Sequence, residues 1–317
     1  MRHIFILNPK AGKTAKALTL EPLIREYFET HTSSEDSYRI YVTTYAGEAT
    51  EIARREGEMG DVVRFYACGG DGTMMEVATG MSAYKNAELT CIPCGSANDY
   101  IRGFGDMHRF ADLEQIVGGE SVWVDAISCN GKLSLNICSM GMDADVAMHM
   151  TKYKKWPFVS GVMAYNLSIL RTFFHRLGRK LQVEMDIVDS MGVRTVNMEG
   201  DFLFALAANG QYYGGGYRGA PQADPSDSLM NFVLIEKVGR LRILSLLKQY
   251  RAGEHLSLGI CHSYQGVRMK VRTDSPASVN VDGECFADTE VAFDLLPQCI
   301  RFVLPKALCK RPCVHSA

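Results

Sequence analysis

Residues 65–80 read FYACGGDGTMMEVATG: an apolar run ends in Gly69, Gly70, Asp71, Gly72 and Thr73, and a helical pattern follows. Glycines at a strand end let the backbone turn tightly and bring N–H groups close to a ligand. The helix N-terminus behind them favours an anion. The chemistry that suits this arrangement is phosphate handling. An acid in the same loop would repel a bare phosphate. Asp71 therefore reads in one of three ways: beside a Mg²⁺ ion or its waters, as an organiser of neighbouring loops, or as a simple capping residue. A second candidate is Glu284, which follows the turn Asp282-Gly283 directly after the strand-like ASVNV. A carboxylate there can reach a substrate hydroxyl as a general base. Its plainer reading is an exposed glutamate on an Asp-Gly hairpin.

Several other motifs fail in context. LNPKAGKT (7–14) ends like a phosphate-binding P-loop, but Leu7 stands where the first glycine belongs and Pro9 removes an N–H. GGGYRG (214–219) matches a dinucleotide fingerprint, yet the following APQADP cannot open a helix. It reads as a glycine-rich crossing. Cys91 and Cys94 form one C-x-x-C around Pro93 with no second pair, which reads as a strand end rather than a zinc or redox site. The eight histidines have no ligand spacing, and there is no G-x-S-x-G nucleophile elbow.

The elements that must position these residues fall into two patterns. Over residues 1–125, apolar strands at 3–7, 38–44, 61–67 and 89–93 alternate with helical stretches at 14–29, 47–58 and 72–81 and a short helix and turn at 96–105. That rhythm predicts parallel βαβ units, in which ligands bind beyond the carboxyl ends of the strands. NPKAG, GGDGT and CGSAND all fall there. From 126 to 305 the chain turns to short alternating strands, LSLNIC, LQVEMDIV, DFLFALA, MNFVLI, VRMKVRT, ASVNVDG and CIRFVL, with helices near 143–177 and 240–252. This predicts an antiparallel β-sandwich. The expected organisation is an α/β domain over 1–125, a β-rich domain over 126–305, and a tail, 306–317, that is mobile or packs back on the first domain.

The chain has 317 residues, 47% apolar and 22% charged, with a net charge of -2, so no global field draws it to nucleic acid. No stretch approaches 18 consecutive apolar residues, and the N-terminal run is too short for a signal-peptide core. Ten scattered cysteines read as reduced thiols of a cytoplasmic protein.

In order, NPKAG (8–12), GGDGTMMEVATG (69–80), GSANDYIRGFG (95–105), APQADPSDSLMNF (221–232) and VDGE (281–284) span nearly the whole chain. In that order they resemble the diacylglycerol kinase catalytic family, which includes bacterial lipid kinases and the sphingosine and ceramide kinases. The resemblance implies an N-terminal domain like that of NAD kinases and phosphofructokinases. It implies ATP as phosphoryl donor, Mg²⁺ as cofactor, and an acceptor lipid, most plausibly diacylglycerol, bound in the cleft between domains. Carried over by residue, Asn8, Pro9, Lys10, Ala11, Gly12, Thr43, Gly70, Asp71, Gly72, Thr73, Met74, Met75, Glu76 and Ser96 would contact ATP. Ser96 stands where the family usually has threonine, and the hydroxyl is kept. Asp71, Asp99 and Asp125 match a network around magnesium-bound waters. Glu284 matches the general base. The Asp224 carbonyl, the Asp227 carboxylate and the Leu229 carbonyl match a second, structural Mg²⁺ site. There the family usually has Asp-Gly where this chain has Asp227-Ser228, and a place tuned for glycine often needs positive φ. A soluble-substrate kinase of the wider GGDG group, such as NAD kinase, is the alternative.

Residues 146–183 contain no acid and seven basic residues, Lys152, Lys154, Lys155, Arg171, Arg176, Arg179 and Lys180, interleaved with Trp156, Phe158, Tyr165, Phe173 and Phe174. Two readings stay open: a peripheral contact with an anionic membrane surface, here the inner membrane, or helices packed on the second domain with a solvated basic face. A homodimer is compatible with the pattern and not specified by it.

Overall fold

Alternating buried strands and amphipathic helices build the first part of the chain. They are β1 (Arg2–Leu7), α1 (Leu20–His31), β2 (Ser37–Val42), α2 (Glu48–Gly57), β3 (Val63–Gly69), α3 (Asp71–Met81), β4 (Ala87–Pro93), α4 (Asp99–Arg102) and α5 (Leu113–Val117). In this computed structural model residues 1–12, 16–31, 36–153, 156, 161–174 and 177–309 are described. Lys154, Lys155, Phe158, Arg176, the side chains of Tyr165, Phe173 and Phe174, and the tail from 310 lie outside them.

β1 pairs in parallel with β2 and β3, and β3 with β4. Arg301 and Phe302 add a fifth parallel strand beside Glu88 and Leu89. β3 is buried along its whole length, as expected for a parallel strand covered on both faces. α1 buries Leu20, Ile24 and Phe28, spaced four apart, so one stripe of the helix meets the sheet. A single helix over 14–29 does not form. A 3₁₀ turn at Lys16–Thr19 precedes α1.

Inside this unit lies a charged network that periodicity does not reveal. Arg64 on β3 and Glu88 on β4 are both buried, with Nη2 2.8 Å from Oε2. Arg64 Nη1 donates to the Ile116 and Val117 carbonyls at 3.0 and 2.7 Å, which satisfies the open end of α5. The other oxygen of Glu88 meets Arg301 at 2.6 Å and the Ser121 hydroxyl at 2.8 Å.

The second part contains β5 (Glu120–Cys129), β6 (Lys132–Ser134), β7 (Ile137–Gly141), α6 (Met142–Tyr153), α7 (Gly161–Phe174), β8 (Arg179–Asp189), β9 (Gly192–Ala208), β10 (Met230–Glu236), α8 (Arg240–Ala252), β11 (Cys261–Val281) and β12 (Glu284–Leu304). Its pairings are antiparallel: β8 with β9 and β11, β9 with β7 and β10, β11 with β12. Alternation along each strand explains the layers. Phe232 and Leu234 of β10 enter one core with Val279 and Phe293, while Val233 and Ile235 enter another beneath Ile243, Leu246 and Tyr250 of α8. Both faces of β10 are thus covered, which is why MNFVLI is apolar throughout. The α/β domain with a parallel sheet and the β-sandwich-like domain are both present.

The compact units are Met1–Val124 with Gln298–Ala317, and Asp125–Pro297. Residues 298–304 belong with the first unit because the end of β12 pairs with β4. The short helix α9 (Lys306–Cys309) also lies there, with the Ala307 N–H donating to Gln115 at 3.0 Å.

Candidate functional site

The first unit brings the loops after β1, β3 and β4 to one sheet edge. Leu7 pairs with Cys68, and Gly69 with Pro93, so the three strands end in register. The Gly69 carbonyl then accepts the N–H groups of Cys94 and Gly95 at 2.8 and 3.0 Å. The Asn8 amide donates to the Thr73 hydroxyl at 2.9 Å, and its carbonyl oxygen accepts the Lys10 N–H at 2.9 Å, which closes the NPKAG turn. Gly12 has φ 73°, and a Cβ there would stand 2.5 Å from the Cys94 carbonyl oxygen. A Cβ on Gly95 would stand 2.5 Å from the Gly70 Cα. Two backbones therefore cross at a separation that only glycine permits.

The hydrogen bonds of Asp71 exclude its capping reading. Gly70, not Asp71, is the residue before α3, and no side chain caps the helix. The Asp71 carboxylate instead accepts the Tyr100 N–H at 3.3 Å, tying the start of α3 to α4. Burial in this cluster holds its carboxyl above the usual range, against the downward pull of the backbone N–H groups around it. Asp99 is buried and lies 3.5 Å from Arg102. Thr43 is buried after β2, its N–H on the Leu7 carbonyl at 2.9 Å. Ala11, Thr73 and Met74 are buried, Pro9, Met75 and Glu76 half-buried, and Lys10, Gly72 and Ser96 exposed. Gly72 has open space where a Cβ would stand. The cysteines of C-x-x-C are buried, free and raised by burial, as a strand end requires.

The second unit holds the remaining candidates in two groups. Buried Asp125 accepts the Ser228 N–H at 2.7 Å, and its own N–H donates to the Pro225 carbonyl at 2.6 Å. Asp227 accepts the Leu229 N–H at 2.9 Å, and Asp224 accepts the Ser226 N–H at 2.9 Å. Burial, with Asp224 and Asp125 nearby, pushes the Asp227 carboxyl up to about 6. Ser228 adopts φ 60°. The left-handed turn expected of a glycine thus survives with serine in its place, held by the bond to Asp125. We expect Ser228→Val to destabilise this unit by about 1–2 kcal/mol, since a β-branched residue is strained there, and Ser228→Gly to cost nothing. Denaturant midpoints test this; a valine variant as stable as wild type would contradict it.

Among the described residues no three His, Cys, Asp or Glu side chains cluster as a metal site. The donor set expected at 224–229 is a single carboxylate with backbone carbonyls. Oxygen donors beside two more acids suit a hard divalent cation; the Asp227 carboxyl is raised first by burial and then by the nearby Asp224 and Asp125 charges. The residues present fit such an ion.

Glu284 is exposed at the β11–β12 hairpin, where Val281 pairs with Glu284 across Asp282 and Gly283. Their φ values are 47° and 95°, as a tight two-residue turn needs. The Asp282 carboxylate accepts the N–H groups of Leu135, Asn136 and Ile137 at 2.8, 3.2 and 2.8 Å. Burial still raises it to about 6. Sequence reasoning missed Asp282; its signal was an acid at a turn position that admits positive φ. The GGGYRG loop is a crossing: three left-handed glycines closed by reciprocal 2.9 Å bonds between Tyr213 and Tyr217.

The chain is thus a parallel α/β unit with glycine-crossed loops at its carboxyl edge, followed by a β-sandwich unit carrying an acidic loop. The diacylglycerol kinase catalytic domain matches residues 2–129, and the YegS C-terminal NAD kinase beta sandwich-like domain matches residues 136–304. The chain belongs to the diacylglycerol kinase catalytic family. It is 24% identical over 314 residues to a diacylglycerol kinase of Bacillus subtilis (strain 168), covering 96% of this chain and 97% of that protein. It is 25% identical to a diacylglycerol kinase of Staphylococcus carnosus (strain TM300), covering 96% and 95%. A crystal structure of a diacylglycerol kinase from Bacillus anthracis str. Sterne shares the fold with a TM-score of 0.67 at 18% identity, covering 97% of this chain and 98% of that one.

Proposed function

We propose that this protein is an ATP-dependent lipid kinase that converts diacylglycerol to phosphatidic acid. The observation that carries the reading is the Gly70–Gly95 crossing beside the start of α3, in a chain whose relatives bear lipid-kinase names. Asn8 to Gly12, Thr43, Gly70 to Glu76 and Ser96 bind and orient the nucleotide phosphates through backbone N–H groups and hydroxyls. Asp71 and Asp99 would hold the loops and the waters of a nucleotide-bound Mg²⁺, while Asp125 organises the acidic loop of the second unit. The chemistry a divalent cation supplies is neutralisation of charge on the phosphoryl oxygens. Glu284 takes the proton from the lipid hydroxyl. That oxygen bonds to the γ-phosphorus while the bond from phosphorus to the ADP oxygen breaks. Transfer of label from γ-labelled ATP to a mixed lipid extract tests the reading: a labelled phosphatidic acid supports it, and labelled NAD with no labelled lipid overturns it.

Two results follow. Gly72→Ala is expected to leave the melting temperature unchanged or slightly higher, since the Cβ meets open space. It is expected to weaken ATP binding about tenfold, roughly 1.4 kcal/mol, because the phosphates need that space. Calorimetric titration decides; unchanged affinity would contradict the placement. The second concerns the cation held by Asp227, Asp224 and Leu229. Asp227 is raised to about 6, so the proton competes with the metal below that pH. Stabilisation by added Mg²⁺ should be largest near pH 7.5 and shrink as the pH falls through about 6. A thermal shift that ignores Mg²⁺ or grows in acid would count against the site.

A further inference from the structure

The outward face of α8 is built against the usual rule for a surface helix. Ile243, Leu246 and Tyr250 point into the core. At about 100° per residue, Leu241 and Lys248 stand opposite them, flanked by Leu244, Arg240 and Arg251. Leu241 is 85% exposed and Leu244 58% exposed. From residue 237 to 252 the chain has no acid and five cations, Lys237, Arg240, Arg242, Lys248 and Arg251, all exposed. Three of these have local partners: Lys237 lies 3.8 Å from Asp201, the Arg251 guanidinium stands 5.6 Å from the Tyr217 ring centre, and Arg240 is also engaged. The core under α8 is also closed by Leu177 and Met142, which bracket the α6–α7 segment. That segment exposes Trp156, Met163 and Leu170 by about half.

We propose that α8 is a docking helix for an anionic lipid bilayer, with Leu241 and Leu244 entering the headgroup boundary and the surrounding cations meeting lipid phosphates. Leucines at the centre of an outward face, ringed by Lys and Arg, are the pattern of a helix that lies in a membrane interface. A second copy of the chain is the wrong occupant, because two such faces would set cations against cations. Nucleic acid is the wrong occupant too, since nothing in it rewards two exposed leucines. The inference deepens the lipid-kinase reading and rests on it for its purpose: an acceptor buried in a bilayer must be reached from the bilayer surface.

The test is sedimentation of the full chain with phosphatidylcholine vesicles, with and without phosphatidylglycerol. Wild type is compared with Leu241→Ser/Leu244→Ser and with Arg242→Glu/Lys248→Glu. All four side chains are exposed, so thermal unfolding should stay at the wild-type value in both variants. Wild type is expected to prefer the phosphatidylglycerol vesicles, with binding that weakens as salt rises. Each double variant is expected to lose about tenfold or more in affinity for them. Wild-type binding in both variants would overturn the proposal, as would equal binding of wild type to neutral and anionic vesicles. So would an oligomer lost in the leucine variant with vesicle binding kept. A second arm separates this from the catalytic reading. With a short-chain diacylglycerol dispersed in solution, both variants should phosphorylate within twofold of wild type. Failure of wild type in that arm would count against the lipid-kinase reading, while the vesicle arm still judges α8.

Discussion

Replacing Glu284 with glutamine is expected to lower the rate of phosphoryl transfer by on the order of 10²–10⁴. ATP affinity should be unchanged, because the side chain lies outside the nucleotide loops. Stability should stay within about 0.5 kcal/mol, since Glu284 is exposed on its hairpin. The change keeps the side chain's shape and removes its ability to take a proton. The hairpin itself is held by Asp282, whose three backbone hydrogen bonds fix the turn independently of its neighbour. A loss of rate is then a loss of chemistry rather than of geometry. Initial rates at saturating ATP, with ATP titration alongside, measure it. A rate within threefold of wild type would remove Glu284 from the mechanism.

Glu88→Ala is expected to be the most destabilising of the substitutions considered, at about 3–5 kcal/mol. It leaves the buried Arg64 guanidinium facing a cavity, with Arg301 and Ser121 also losing their acceptor. For a chain of this size the melting temperature should fall on the order of 10 °C. Glu88→Gln should cost less, because its amide oxygen can still accept from Ser121 or Arg301. The site's geometry hangs on this network indirectly: Glu88 and Arg64 lie in the two strands that end in the glycine crossing. Calorimetric unfolding of the three proteins tests it. An alanine variant melting within about 2 °C of wild type would show that the pair is not the clamp described.

Neither Arg64 nor Glu88 was legible in the sequence as a buried pair. DVVRFYA and AELTCIP read as strands because apolar neighbours dominate, and a charge in such a run carries no sign of its cross-strand partner. The glycine loops were legible, because glycines at strand ends mark tight turns and close backbone approach, and three such loops fell at the same end of a parallel sheet. DFLFALA and MNFVLI were legible as strands but not as strands covered on both faces. That required α8 to be seen lying on them. Residues 284–298 were not read as a strand, since ECFADTEVAFDLLPQ mixes acids and a proline through the run. The antiparallel ladder with β11 holds it extended all the same. The Ser228 turn shows the opposite case: a local preference for glycine is overridden by one hydrogen bond to Asp125.

The central claim is transfer of phosphate from ATP to a lipid hydroxyl. The most direct measurement incubates purified protein with labelled ATP and Mg²⁺, offering diacylglycerol in one reaction and NAD in the other, with Asp71→Ala and Glu284→Gln beside wild type. The account predicts labelled phosphatidic acid from wild type, little from either variant, and no labelled NADP. Labelled NADP with no labelled lipid, or lipid phosphorylation undiminished in both variants, would contradict it.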